Sequence, residues 1–328
     1  MIKTLNRIFL VLCLACLTRT GKAQTGAVTS PVLTYIVDSA HHLRPLIGVV
    51  GAASVSNPVD IGFDVMQATV PPAHDYLLAT WSGSNWPILF QVHGGAMTPQ
   101  IGAFGNNQSH IDRVALSPSG FAAAFLSESQ HRIYIFKNLA QNAFSGGSIN
   151  ISGLGPVSAF CISDDGNTVV IGVSDGQTGS LWLANVATLR PVLITSMSHP
   201  SAISFVRYTT TALITDDMTN TVYMLVDGQI FPIASAQDGI SMPNGIAVSN
   251  DNVRIFVSNR QTGSVVTIMI DGTITPPVYC NCTISGLYPT NTDSVFRLTD
   301  FSGSSVLLFD ANRATPRITF VPVSGSQF

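Results

Sequence analysis

Charge is what this chain has least of. Charged residues make up 10% of its 328 positions, against about 25% in an ordinary soluble protein. One glutamate, Glu128, is present in the whole sequence, while hydrophobic residues reach 46%. The polar surface therefore falls to Ser, Thr, Asn, Gln and Gly. That excludes a charge-driven disordered chain and a strongly basic nucleic-acid face. The chain also lacks a Gly-x-Ser-x-Gly elbow, a Gly-rich phosphate loop and a His-Glu-x-x-His pair. No amphipathic helical pattern of useful length follows residue 23, which argues against an α/β enzyme.

Long apolar runs are scarce too. The ten residues 8–17, behind Lys3 and Arg7 and ahead of Gly21-Lys22-Ala23, have the make-up of an export signal with cleavage before Gln24. The run is short for a membrane helix, and Cys13 and Leu14 fit a lipobox at Cys16 poorly. The expected organisation is a signal over 1–23, a polar linker over 24–30 and one domain over 31–328. The processed chain, exported to the periplasm or the outside, would carry eleven basic and eighteen acidic residues, a net charge of −7. Lys137 would be its one lysine.

Of five cysteines, Cys161, Cys280 and Cys282 remain after the signal. An odd number in an oxidising compartment leaves at least one thiol over. Cys280 and Cys282 on one face of a strand would stand roughly 6.6–6.8 Å apart, too far for an easy bridge. They are expected as unpaired thiols, with a bridge from Cys161 to either as the alternative. A metal at Cys-Asn-Cys lacks a second pair of ligands.

What the chain does have is a repeat. An apolar strand ends in a hydroxyl residue followed by an acid or amide at Ser127-Glu128, Ser174-Asp175, Thr215-Asp216, Ser258-Asn259 and Thr299-Asp300, and in degenerate form at Thr80-Trp81. The second members are spaced by 47, 47, 41, 43 and 41 residues. A period in the forties with several strands per unit is that of propeller blades. Each unit has an inner strand (61–65, 114–116, 160–162, 203–205 and 246–248), a turn such as Ser163-Asp-Asp-Gly166, a second strand and two more. The middle strands read as near-continuous apolar runs, as strands buried on both faces do.

The fold class expected is all-β, a single propeller of four-stranded antiparallel blades, six or seven in number. The N-terminal hairpin, Thr34-Tyr-Ile-Val-Asp38 and Leu43-Arg-Pro-Leu-Ile-Gly48, repeats the wording of Leu181-Trp-Leu-Ala-Asn185 and Leu189-Arg-Pro-Val-Leu193. On that reading it fills the outer slots of a seventh blade, sewn to the C-terminal strand Ile318-Thr-Phe-Val-Pro322. A hairpin decorating a six-bladed ring is the alternative.

Pro243-Asn-Gly-Ile-Ala-Val-Ser-Asn250, followed by Arg254-Ile-Phe-Val-Ser-Asn259, resembles a blade of the NHL, YncE-like and SMP-30 (gluconolactonase) propellers. The resemblance implies the ring, and in the lactonases a calcium ion held at the channel mouth by a glutamate, asparagines and an aspartate. Asn244 matches the asparagine of the Pro-Asn-Gly motif. The glutamate does not carry over, because Glu128 stands at a later strand end.

Aligned units place Asp112, Ser158, Ser201, Asn244 and Thr290 just ahead of their inner strands, with His110 and His199 beside two of them. Converging there, they would make a ligand or cation site at the mouth of the channel; capping of strand starts is the structural alternative. The acids of the repeated mark read as turn acceptors. Trp81 and Trp86 bracket a loop that would hold a sugar or an apolar ligand, or would simply pack. His41, His42 and His74 read as surface or turn residues. Asn107-Gln-Ser109, Asn150-Ile-Ser152 and Asn281-Cys-Thr283 match the glycosylation sequon.

The function expected is a monomeric, non-catalytic module that binds a small molecule or a protein, without nucleic acid, cofactor or membrane span. The alternative is a calcium-type hydrolase, lactonase or lyase working at the channel mouth.

Overall fold

The computed structural model describes residues 30–105, 109–301 and 305–323. The segment read as an export signal, residues 24–29 of the linker and Asn107 of the first sequon lie outside them. From Pro31 onward the chain forms one compact unit, an all-β propeller of seven antiparallel blades. Among the described residues no helix is long and apolar enough to cross a membrane.

Six blades have four strands each, in simple sequence order. Their inner strands are Gln67–Thr69, Arg113–Leu116, Val157–Ile162, Pro200–Phe205, Pro243–Val248 and Tyr288–Pro289. We number these blades two to seven. Among the described residues the first blade has three strands, β1 (Val32–Val37), β2 (Leu43–Ile47) and β3 (Ser54–Val55).

The core is divided as a propeller requires. Seven hydrophobic clusters each straddle one junction between neighbouring blades. Second strands, sandwiched on both faces, are the most deeply buried, as in Ala122–Ser127 and Ala212–Asp216. This is why their sequences lack the alternation of a half-exposed strand. The junction of blades two and three is aromatic, with Trp86 edge-on to Phe125, Tyr134 and Phe136.

Several expectations need correction. Residues 61–65 are not an inner strand; the inner strand of that blade is Gln67–Thr69. Asp60 accepts the Gly62 N–H at 2.9 Å and Gly62 sits at φ +89°, so the run is spent on a turn. Its apolar side chains Ile61, Phe63 and Val65 still pack into the junction of blades one and two. Ring closure differs as well. The C-terminal strand Arg317–Pro322 is the outer strand of blade seven, and Val323, just past it, bridges to the first blade in parallel with Val55.

Cys280 and Cys282 form a disulfide with Cα atoms 5.2 Å apart. The strand ends at Tyr279, so the extended spacing does not apply beyond it. Gly263 makes room for the loop: at φ +59°, a Cβ there would meet the Cys282 carbonyl at 2.5 Å. Cys161 is free and buried.

Candidate functional site: the channel beside the first blade

The direction of β1 identifies its place in the blade. Asn291, just past the inner strand of blade seven, donates its N–H to the Leu33 carbonyl at 2.9 Å. At the other end the Val65 N–H, just ahead of the blade-two inner strand, reaches the His41 carbonyl at 2.7 Å. β1 therefore starts where inner strands end and ends where they start. That is the direction of a second strand.

Its terminal turn says the same. Asp38 accepts the N–H groups of Ala40 and His42, both at 2.9 Å. Asp216, in the repeated mark of blade five, accepts those of Met218 and Thr219 at 3.1 and 3.0 Å. Asp38 is thus a seventh copy of the mark. β1, β2 and β3 occupy the second, third and fourth positions of a blade whose first position holds no described strand. The hairpin is not an outer pair, and its likeness to Leu181-Trp-Leu and Leu189-Arg-Pro concerned side-chain pattern alone.

In blades five and six the mark also ties down the approach to the inner strand. The second carboxylate oxygen of Asp216 accepts the N–H groups of Ser198 and His199 at 2.9 and 3.1 Å. Asn259 accepts the Ser241 N–H at 2.9 Å. At Asp38 that role passes to Arg44, whose Nε donates to Oδ2 at 2.6 Å while Nη1 donates to the Ser56 carbonyl at 3.2 Å. Burial would raise the Asp38 pKa, but the Arg44 hydrogen bond, the two backbone N–H groups and the Arg44 charge together hold it below the ordinary carboxylate value.

Among the described residues, β1 lines a cavity of about 570 Å³ in the central channel. Opposite it stand the blade-two inner strand, with Thr69 and Val70, then Val114, Tyr288 and Arg297. Arg297 lies over the Tyr288 ring at 4.0 Å and donates to the Asp300 carboxylate at 2.8 Å. Asp300 is 71% exposed, so the cavity meets solvent there. At the other rim Arg207 reaches from blade five to the Pro118 carbonyl of blade three at 2.9 Å. A smaller cavity of about 320 Å³ lies on that side.

Of the expected mouth residues, Ser158, Ser201 and Asn244 are each the second residue of an inner strand, and Asp112 stands just ahead of one. Asn244 donates to the Ile284 carbonyl and accepts from the Ser258 hydroxyl, both at 2.8 Å. Ser201 donates to the Pro243 carbonyl at 2.6 Å, a link from blade five to blade six. Asp112 accepts the Glu128 N–H at 2.8 Å, with His110 Nε2 3.7 Å away. The Ser158 hydroxyl is buried with no hydrogen-bond partner among the described residues. Thr290 does not belong with these residues: it follows its strand and bonds the Val295 carbonyl at 3.1 Å on the far rim. His199 Nδ1 meets Asp217 Oδ1 at 2.6 Å, and Arg260 stands 3.8 Å from the same carboxylate.

Trp81 stacks near Phe63 at 5.1 Å, and Trp86 is 8% exposed. His74 packs beside Tyr35 with ring centres 6.2 Å apart. It is a turn residue, at φ +54° with its N–H on the Pro71 carbonyl at 3.0 Å, and its ring is half-buried: neither ring nitrogen completes a hydrogen bond, and burial pushes its pKa down to about 4 against a weak upward pull from Val32. Sequence reasoning missed the channel wall of β1, Thr69 and Arg297. The signal was present in Val37-Asp38, which copies the end of a second strand.

No family model matches the chain, and no curated protein matches it. Solved structures do. A functionally unknown protein from Desulfotomaculum acetoxidans aligns with a TM-score of 0.61 at 13% identity, covering 90% of this chain and 100% of that one. Hydrazine synthase of Kuenenia stuttgartiensis gives 0.54 at 14% identity, over 93% and 99%. A nidogen/laminin complex gives 0.51 at 11%, over 78% and 96%. At these identities the likeness is one of fold, and the class it defines together with the blade count is the β-propeller.

Proposed function

We propose that the protein is an exported, monomeric binding propeller without catalysis, its ligand held in the channel beside the first blade. The observation that carries this reading is the chemistry of the cavity wall. Its ionic groups pair among themselves, Asp38 with Arg44 and Arg297 with Asp300. What remains toward the channel is hydroxyl, backbone and apolar surface from Thr34, Thr69, Val70 and Tyr288. Such a wall suits a neutral ligand oriented by hydrogen bonds.

A second reading, a metal-dependent hydrolase of the gluconolactonase kind, draws on His199, whose imidazole Asp217 orients as a base requires. Calcium at Asn244 would have to displace the hydrogen bond from Ser258.

The test is thermal melting of the protein from Gln24 with neutral sugars and with calcium, beside Thr69→Trp, which fills the cavity. A sugar that raises the melting temperature of the parent and not of Thr69→Trp supports the channel reading, since a ligand of the folded state stabilises by mass action. A calcium shift lost in Asn244→Ala, with lactone hydrolysis lost in His199→Ala, would replace it.

A further inference from the structure

We propose that the rim of blades three to five, on the side away from the repeated marks, carries a second binding site, which takes a short neutral oligosaccharide between the rings of Phe121 and Tyr208. The site lies outside the channel reading above and does not depend on it.

The first observation is a pair of rings standing in water. At this rim each blade turns from its inner to its second strand, and in blades three to six the turn follows one plan. Its first residue (Ser117, Ser163, Val206 or Ser249) donates its N–H to the sixth carbonyl and accepts the fourth N–H. The third position holds Ser119, Asp165, Tyr208 and Asp251 in turn, and the fifth Phe121, Asn167, Thr210 and Val253. The turn itself therefore asks for no ring at either place. Yet Tyr208 is 75% exposed and Phe121 41%. One exposed apolar side chain needs no explanation, but two rings on the same cavity do.

The second is the way the rings are held. In the other three turns the left-handed residue is the fourth, Gly120, Gly166 or Asn252, whereas in blade five it is the third, Tyr208 itself at φ +59°. A bulky residue rarely adopts that conformation. The Asp164 carboxylate of blade four accepts the Tyr208 N–H at 2.8 Å with one oxygen and the Ser119 N–H at 2.6 Å with the other. One buried side chain thus fixes the two turns that present the rings.

The third is room. Phe121 and Tyr208 line a single cavity of about 920 Å³ together with Asn138, Gln141, Asp165 and Thr210. Pockets of that order hold drug-sized ligands.

The fourth is chemistry. Among the described residues no lysine or arginine lines the cavity, which sets anionic ligands aside. Amides, a hydroxyl and a carboxylate offer the donors and acceptors that sugar hydroxyls need. A cationic ligand is disfavoured as well. Arg207 already lies over the Tyr208 ring, 5.8 Å from its centre, and Lys137 stands close enough to Asp165 to lower its pKa. A ring that faces one cation is a poor seat for a second, whereas its exposed surface suits the apolar C–H face of a sugar.

The probes are maltotriose, cellotriose and mannotriose, titrated at millimolar concentration into the protein from Gln24 and followed by calorimetry. At least one is expected to bind, with affinity about tenfold weaker in Tyr208→Asn and in Phe121→Ser. Asn tolerates the left-handed backbone, and melting temperatures near that of the parent would show that both variants fold. Tyr208→Phe keeps the ring and should keep the affinity. Thr69→Trp fills the channel cavity alone and should also keep it. Binding lost in Thr69→Trp but kept in Tyr208→Asn overturns the proposal and leaves the sugar in the channel. Failure of all three sugars to bind overturns it too. So does binding of tetramethylammonium in their place, lost in the same two variants, which would make the site one for cations.

Discussion

The first and sixth blades are built from the same local instructions and, among the described residues, differ in one strand. In blade six Asn259 bonds Ser241, Gly239 and Ser264, gathering the approach to the inner strand, the loop before it and its own hairpin. In the first blade Asp38 makes the hairpin and then turns to Arg44. The seam is different too. Arg254 of blade six donates to the Ala311 carbonyl and the Ser294 hydroxyl of blade seven, whereas the first blade meets blade two through Tyr35 and an unbonded His74. The difference teaches that one side chain, Arg44, can stand where backbone donors of the inner-strand approach stand in blades five and six.

The largest test of this contrast compares equivalent ring positions, each three residues ahead of its mark. Phe256 is fully buried against Phe296 and Phe309 of blade seven, at 5.1 and 5.8 Å. Tyr35 is 6% exposed. Truncating a buried aromatic costs about 3–5 kcal/mol. Phe256→Ala is expected near the top of that range and Tyr35→Ala near the bottom, read as midpoints in urea unfolding. Equal losses would show that the first blade is packed as tightly as the sixth.

Acid is the next discriminator. The folded pKa of His74, about 4, lies below its ordinary 6.5. Between those values the unfolded chain binds a proton that the folded chain excludes, so stability falls as pH drops through 6.5 toward 4. The loss amounts to about 3 kcal/mol at the foot of the window. His74→Phe should flatten this limb of the stability–pH curve, while substitutions in blade six leave it intact.

Most of the ring could be read from the chain because blades repeat and each mark has a local cause. Asp38, Asp175 and Asp216 each accept hydrogen bonds from their own turn, so the acid recurs with the turn at those three ends. The inner strands at 114–116, 160–162, 203–205 and 246–248 stand as the alignment placed them. The misreadings came where tertiary position overrides local pattern. The run at 61–65 has the pattern of a buried strand but is bent by Gly62. The N-terminal hairpin was matched on wording shared by any apolar hairpin, when its direction, fixed only by Asn291 and Val65, decides its slot. The Cys280–Cys282 bridge escaped because extended geometry was assumed past Tyr279. The site was least legible, since a channel wall is a relation among blades and not a motif.

A smaller effect separates the two ways of holding a mark. Arg44→Met removes the charged donor from Asp38 and is expected to cost about 1 kcal/mol, at the low end for a hydrogen bond to a charged group because Arg44 is partly exposed. The sign with pH follows from the lowered folded pKa of Asp38. Its contribution is present above the ordinary carboxylate value and is lost as pH falls through the lower folded value. Arg44→Met should move that loss to higher pH. Asn259→Ala, with no ionised group, should lower stability by about 2 kcal/mol equally across the same range. A pH-dependent Asn259→Ala effect would break the distinction.

The smallest expected effect is at Asp175, which keeps the turn and nothing else. Its carboxylate accepts the N–H groups of Gln177 and Thr178 at 2.9 and 2.8 Å, and these bonds hold its pKa below the ordinary value. Its side chain is fully exposed, so water can replace what Ala removes. Asp175→Ala should lower the melting temperature less than Arg44→Met or Asn259→Ala, with the decrease confined to pH above the carboxylate range. A decrease as large as that of Asn259→Ala would mean that the turn itself, and not the tie to the inner strand, carries the stabilising part of the mark.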